Sequence, residues 1–195
     1  MRVARAMTVL CVVLAGSVAL ADVYQLQPSP ADLYDLSHDR AYRWGIDLNI
    51  PEADVVTSAS LFFNNIRNYN WGDNDLYVTL IDNASVGVST YYDGQYWSNY
   101  FASWGVELVH YHNLPATAQD ISYNLDAAEL DTLNTYLGND NFGLGFDPDC
   151  HFYNCGVTLT LVTEPEDPGV SIPEPAAGSI LLGALGMLIA RRKRQ

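Results

Sequence analysis

Two loops of this sequence carry oxygen donors at alternating positions. Asp73-Asn74-Asp75 is one, and Asp147 with Asp149 is the other. Alternate Asp and Asn oxygens suit Ca²⁺, a hard cation that takes six to eight oxygen ligands. The twelve-residue EF-hand spacing with its closing Glu is absent, and Asp and Asn are also good turn formers at strand ends. Of the two loops, Asp147/Asp149 is the better candidate, and Ca²⁺ is the cofactor these loops suggest.

Other residue types gather as well. Between Tyr91 and Trp104 lie seven aromatics in fourteen residues, interleaved with Asp93, Gln95, Ser98 and Asn99. Flat rings with polar neighbours suit a saccharide-binding surface, with Tyr92, Tyr96, Trp97 and Tyr100 as its contacts. The competing expectation is a long connecting loop that folds back into its own small core. His110 and His112 stand two apart, so on a strand they share a face and could meet one metal. They also continue the face of Trp104, Val106 and Leu108, which predicts neutral histidines at the end of a sandwich.

Catalytic motifs are missing. There is no nucleophile elbow, no HExxH and no glycine-rich phosphate loop. Carboxylate pairs for glycoside hydrolysis exist, but 23 acidic residues supply pairs by chance, and what matters is their separation in space. The expectation is a non-enzymatic protein, with a carbohydrate-binding module or a matrix glycosidase as alternatives.

The distribution of charge narrows the class further. The 195 residues carry a formal net charge of −14, and the nine basic side chains are mostly at the two ends. Residues 22–175 contain Arg40, Arg43 and Arg67, no lysine and all the acidic groups, for a net −20. Nucleic-acid phosphates need a basic face, so nucleic acid is excluded as a partner.

At the N-terminus Arg2 and Arg5 precede an apolar run from Ala6 to Leu20, closed by Ala19-Leu20-Ala21. A basic start, a short apolar centre and small residues at Ala19 and Ala21 are what signal peptidase reads, which makes residues 1–21 a signal peptide. At the other end Pro173-Glu174-Pro175 is followed by a 15-residue apolar segment and then Arg191-Arg192-Lys193-Arg194. As a helix that segment reaches roughly 22 Å, less than the roughly 30 Å of a bilayer core, so it would hold the membrane only transiently. The basic block would stay in the cytoplasm.

Residues 173–195 resemble the PEP-CTERM sorting signal of Gram-negative bacteria in all three parts and in their order. The resemblance implies processing by an exosortase-type enzyme and delivery to the cell surface or to an extracellular polysaccharide matrix. Asp32-Leu33-Tyr34-Asp35-Leu36 with His38, Trp44-Gly45-Ile46, and the run from Phe142 to His151 are also similar to a domain that recurs in PEP-CTERM-type proteins. This second resemblance implies an extracellular β-sandwich and transfers no catalytic residues.

Cys11 leaves with the signal peptide, so the exported chain keeps Cys150 and Cys155. Outside the cytoplasm this pair is expected to oxidise, closing a short loop worth roughly 2 kcal/mol. The alternative is a zinc site from Cys150, His151 and Cys155 with Asp147 or Asp149, although the second cysteine pair of a structural zinc site is lacking.

These groups need elements to hold them. Alternation recurs at Trp44, Ile46, Leu48 and Ile50; at Ala59, Leu61 and Phe63; at Leu76, Val78 and Leu80; and at Ile121, Tyr123 and Leu125. It returns at Phe142, Leu144 and Phe146, and at Val157, Leu159 and Leu161. Half-buried strands joined by Asn/Asp/Gly-rich turns predict a mainly β protein, a single antiparallel, jelly-roll-like β-sandwich. One segment departs from this. Asp126 with Glu129 forms a capping box, and Leu130, Leu133 and Leu137 recur at helical spacing up to Gly138, predicting a short helix over 127–137. The domain plan is therefore an extended entry segment at 22–43, the sandwich at 44–163, a linker at 164–172 and the sorting tail with its apolar transmembrane helix at 173–195.

Overall fold

Side-chain alternation builds the protein, and β8 (Asn141–Pro148) shows how. Phe142, Leu144 and Phe146 are buried in the main core, while Gly143 and Gly145 occupy the opposite face. The computed structural model describes residues 21–70, 72–94 and 98–166. The other strands among these are β1 (Asp22–Leu26), β2 (Arg40–Asp47), β3 (Asp54–Asn68), β4 (Asp75–Asp82), β5 (Gly87–Tyr92), β6 (Gly105–His112), β7 (Gln119–Asn124), β9 (Phe152–Tyr153) and β10 (Gly156–Pro165).

One sheet runs β1-β10-β3-β7, with β9 also paired to β3, and the other runs β5-β2-β8-β4-β6. All pairings are antiparallel. The chain crosses repeatedly between the sheets, β1 to β2, β2 to β3 and β3 to β4, as a two-layer β-sandwich does. The core joins Leu61, Phe63 and Leu159 of the first sheet to Trp44, Val78, Leu144 and Phe146 of the second. Phe63 meets Phe146 edge to face at 6.1 Å across the layers. Burying each such ring contributes about 1.5–3 kcal/mol.

The helix forms as predicted, α1 (Ala127–Leu137). Asp126 Oδ1 accepts from the Glu129 N–H, and Glu129 Oε2 accepts from the Asp126 N–H, which satisfies two amide donors the helix leaves open. Leu133 and Leu137 are buried, and Asn134 fixes the helix to β3 by accepting from the Val56 N–H and donating to the Val56 carbonyl. The left-handed residue that follows the helix is Asp140, not Gly138, whose backbone stays right-handed.

The entry segment departs from expectation. Residues 22–43 are part of the sandwich: β1 pairs with β10 at the sheet edge, and β2 begins at Arg40, not Trp44. β1 reads as polar because an edge strand buries little of its surface. Between the two, Leu33, Tyr34, Asp35 and Leu36 all take left-handed backbone angles. That conformation costs about 1–2 kcal/mol per residue and is offset here by the complete burial of Leu33 and Leu36. The Asn154 amide donates to the Asp32 carbonyl, and the Phe152 N–H to that of Leu36, which ties the turn down.

At the far end β10 continues to Pro165, into the expected linker. Residues 166–195 form a second unit, of which only Glu166 is described. The expected signal peptide, with Ala19, and the tail, with Pro173, Glu174, Pro175, Arg191, Arg192, Lys193 and Arg194, lie outside the described residues; Ala21 is described and exposed. Among the described residues no helix is long and apolar enough to cross a membrane.

Candidate functional site

The outer face of the β5-β2-β8-β4-β6 sheet carries the chemistry. Its floor is made of glycine. A Cβ on Gly145 would fall 2.6 Å from the Phe101 ring, and one on Gly143 would fall 2.5 Å from the Ala84 side chain. The bare Gly145 lets the turn at 98–104 lie directly on the sheet, and the bare Gly143 admits Ala84. Phe101 is fully buried there with Ala41, Ile81 and Ala84, and Tyr91 and Tyr100 pack against the group. Tyr91, Phe101 and Trp104 meet at steep angles between 73° and 85°. The Arg43 guanidinium sits 5.6 Å from the Tyr91 ring and 5.9 Å from that of Trp104.

Among the described residues of the aromatic run, Tyr91, Tyr100 and Phe101 thus fold back into a small core, in line with the competing expectation from the sequence. Of the residues expected to contact a saccharide, Tyr100 is half-buried in this cluster, and Tyr92 is 79% exposed. Tyr96 and Trp97 lie outside the described residues.

Beside this small core, three carboxyl groups converge. Asn99 pins the turn by accepting from the Phe101 N–H and donating to Thr79 Oγ1 and Glu107 Oε2. The next residue's backbone N–H then reaches Asp147 Oδ2 at 2.6 Å from Tyr100. Asp93, at the end of β5, is anchored by its N–H to the Asp39 carbonyl. One carboxylate oxygen from each of Asp93, Asp147 and Asp149 lies within 4.8 Å of the others.

Asp147 is completely buried, and its Oδ1 meets no hydrogen-bond donor. Burial, and then the charges of Asp93 and Asp149, push its carboxyl from the usual range up to about 8, against the opposing pull of the Tyr100 amide. Asp93 lies close enough to share a hydrogen bond with it when one of the two is protonated. Such a cluster is made stable by a proton or by a cation.

The structure brings Asp147 and Asp149 together and adds Asp93, which local spacing could not reveal because it lies on a different strand end, far away in sequence. The other acidic loop is a correction. Asp73 is exposed, whereas Asp75 is buried and turned toward β6. Asn74 between them clamps the 113–115 turn, accepting from the Leu114 N–H and donating to the Leu114 carbonyl. The alternating oxygens of this loop therefore diverge.

The cysteines are a second correction. Cys150 and Cys155 are free thiols, not a disulfide. Between them β9 runs extended along β3, pairing Tyr153 with Arg67 and Phe152 with Asn68, and the Cys155 N–H donates to the Asn64 carbonyl. A disulfide needs its Cα atoms roughly 4.4–6.8 Å apart, which favours a chain folded back on itself over one drawn out along a neighbour. Cys150 packs against the main core, and Cys155 is exposed.

The histidines are a third correction. Val78 pairs with Val109 but Thr79 pairs with Glu107, so Leu108 is an extra residue in β6. This bulge reverses the alternation beyond it. Val109 and Tyr111 pack on the core, and His110 and His112 emerge on the outer face, away from the core face that Leu108 shares.

Compared with known proteins, the chain matches no family model and no curated protein.

Proposed function

We propose that this is an exported, non-enzymatic cell-surface or matrix protein whose acidic β-sandwich holds Ca²⁺ at Asp93, Asp147 and Asp149. The observation that carries the reading is the fully buried Asp147 carboxyl group, with one oxygen lacking any donor and two further carboxyl groups around it. Three carboxylates offer up to six oxygens, a set that favours a hard cation such as Ca²⁺ over softer metals. The strand order supports a jelly-roll-like sandwich, an architecture shared with lectin and capsid domains.

What supports export is the basic, apolar and small-residue order of residues 1–21. Sorting rests on the resemblance of residues 173–195 to a PEP-CTERM signal. On this reading signal peptidase and an exosortase-type enzyme are successive partners, membrane attachment is transient, and the destination is the surface or polysaccharide matrix of a Gram-negative bacterium. Bound Ca²⁺ then bridges an acidic protein to anionic polymer.

Thermal unfolding of the full chain in EDTA and in Ca²⁺ tests the site. At a hundredfold excess over Kd, Ca²⁺ raises Tm by about 5–10 °C in the wild type and leaves Asp147→Asn unmoved. A wild-type Tm indifferent to Ca²⁺ overturns the proposal. Deleting residues 173–195 and fractionating cells tests sorting, and unchanged surface delivery overturns that part.

A further inference from the structure

Between β6, the edge strand of the same sheet, and its neighbour β4, a second set of donors converges with a different chemistry. Asp75 stands opposite His112 in the β4–β6 ladder, and Tyr77 stands opposite His110. Asp75 Oδ1 lies 2.5 Å from His110 Nε2 and 2.8 Å from His112 Nδ1, and the three donor atoms fall within 4.8 Å of one another. The carboxylate is 5% exposed, whereas the imidazoles are 37% and 58% exposed. A buried anchor with two solvent-facing nitrogens leaves further coordination positions open to water.

We infer that Asp75, His110 and His112 form a surface site for a borderline divalent transition-metal cation, of which Zn²⁺ is the type. Two imidazoles and one carboxylate match the donor set such ions prefer, and nitrogen ligands discriminate against Ca²⁺. With metal–ligand bonds of about 2.0–2.2 Å, tetrahedral donors stand about 3.3 Å apart. The two Asp75–imidazole distances reach that spacing by opening less than about 1 Å, a small rotation for exposed rings on an edge strand.

The surroundings already orient the ligands. Tyr77 stacks on the His110 ring at 4.1 Å with an interplanar angle of 18°, which fixes the imidazole plane. The Asp149 N–H donates to the Asp75 carbonyl, and the Asn113 N–H to that of Asn74, which hold the strand end. The Asn113 side-chain amide lies 2.7 Å from His112 Nε2. When Nδ1 binds a metal, the ring proton sits on Nε2, and the same amide turned over presents its oxygen to that proton. This site shares no ligand with the Ca²⁺ cluster, so either can fail without the other.

The test is Zn²⁺ titration of the full chain against a chromophoric chelator, with thiols blocked by iodoacetamide, followed by Cu²⁺ electron paramagnetic resonance. The wild type takes up one Zn²⁺, His110→Ala and His112→Ala each weaken it at least tenfold, and Asp147→Asn and millimolar Ca²⁺ leave it unchanged. The Cu²⁺ spectrum shows coupling to two nitrogens in the wild type and to one in each single variant. Both histidines are exposed on an edge strand, so these variants keep the fold, and circular dichroism of each verifies it. Zn²⁺ uptake that survives both histidine substitutions, that disappears on blocking the thiols, or that Ca²⁺ displaces overturns the inference.

Discussion

The backbone N–H of Tyr100 donates to the Asp147 carboxylate at 2.6 Å, which makes the aromatic turn and the acidic cluster one unit. What lifts the turn must therefore disturb the cluster. Phe101 seats the turn on Gly145, where a Cβ would come within 2.6–2.7 Å of two ring atoms and 3.0 Å of Ile81 Cδ1. Gly145→Ala is expected to cost about 1–3 kcal/mol by overpacking and to weaken Ca²⁺ binding. Urea denaturation and Ca²⁺ titration of the same variant measure both effects, and a loss of stability with unaltered Ca²⁺ affinity would separate the turn from the cluster.

Proton linkage gives the metal-free protein a distinctive pH response. The folded Asp147 carboxyl is raised from the ordinary range to about 8, first by burial and then by its acidic neighbours. Between about pH 4 and pH 8 the folded state then holds a proton that the unfolded state has released. This contribution to stability is complete below pH 4, falls as pH rises, and is gone above pH 8. In EDTA the wild type is expected to lose stability relative to Asp147→Asn from pH 5 to pH 8, and Ca²⁺ at pH 8 restores it. Parallel urea midpoints for the two proteins across that range would contradict the assignment.

The capping box of α1 offers a local measurement. Asp126→Ala removes the oxygen that accepts from the Glu129 N–H and is expected to cost about 1 kcal/mol. Chemical denaturation reads this loss, which should appear as a shifted midpoint with an unchanged slope.

Tyr123 connects the helix to the β6 bulge. Its hydroxyl lies 2.6 Å from both Glu129 Oε1 and the carbonyl of the bulged Leu108. Burial and the Glu129 hydrogen bond raise its pKa well above the ordinary tyrosine value. Tyr123→Phe is expected to cost about 1–2 kcal/mol and to speed amide exchange at Val109 and His110 by loosening the bulge. Unchanged exchange at those amides would show that the bulge holds without this contact.

Much of the architecture was legible because it is encoded locally. Asp126 and Glu129 lie three residues apart, and the Leu spacing up to Leu137 is helical, so α1 could be placed to the residue. In β8 the alternation of Phe142, Leu144 and Phe146 with Gly143 and Gly145 announced one buried face, although nothing in it foretold that the glycines would seat Phe101. The candidate sites depend on relations that sequence neighbours do not carry. Asp93 and Asp147 meet only because β5 and β8 flank β2. Period-two counting put His110 and His112 on the Leu108 side because a one-residue bulge leaves no mark in composition. Leu33 to Leu36 contain no Gly or Asn, the usual sign of left-handed backbone, so their turn was equally hidden.

The Leu108 bulge has an effect beyond the placement of imidazoles. β6 ends its sheet, and an uninterrupted edge is a template on which a foreign segment can dock and begin a fibril. The misfit halfway along denies such a segment a continuous row of amides, so the irregularity that turns the imidazoles outward also protects the sheet edge from aggregation.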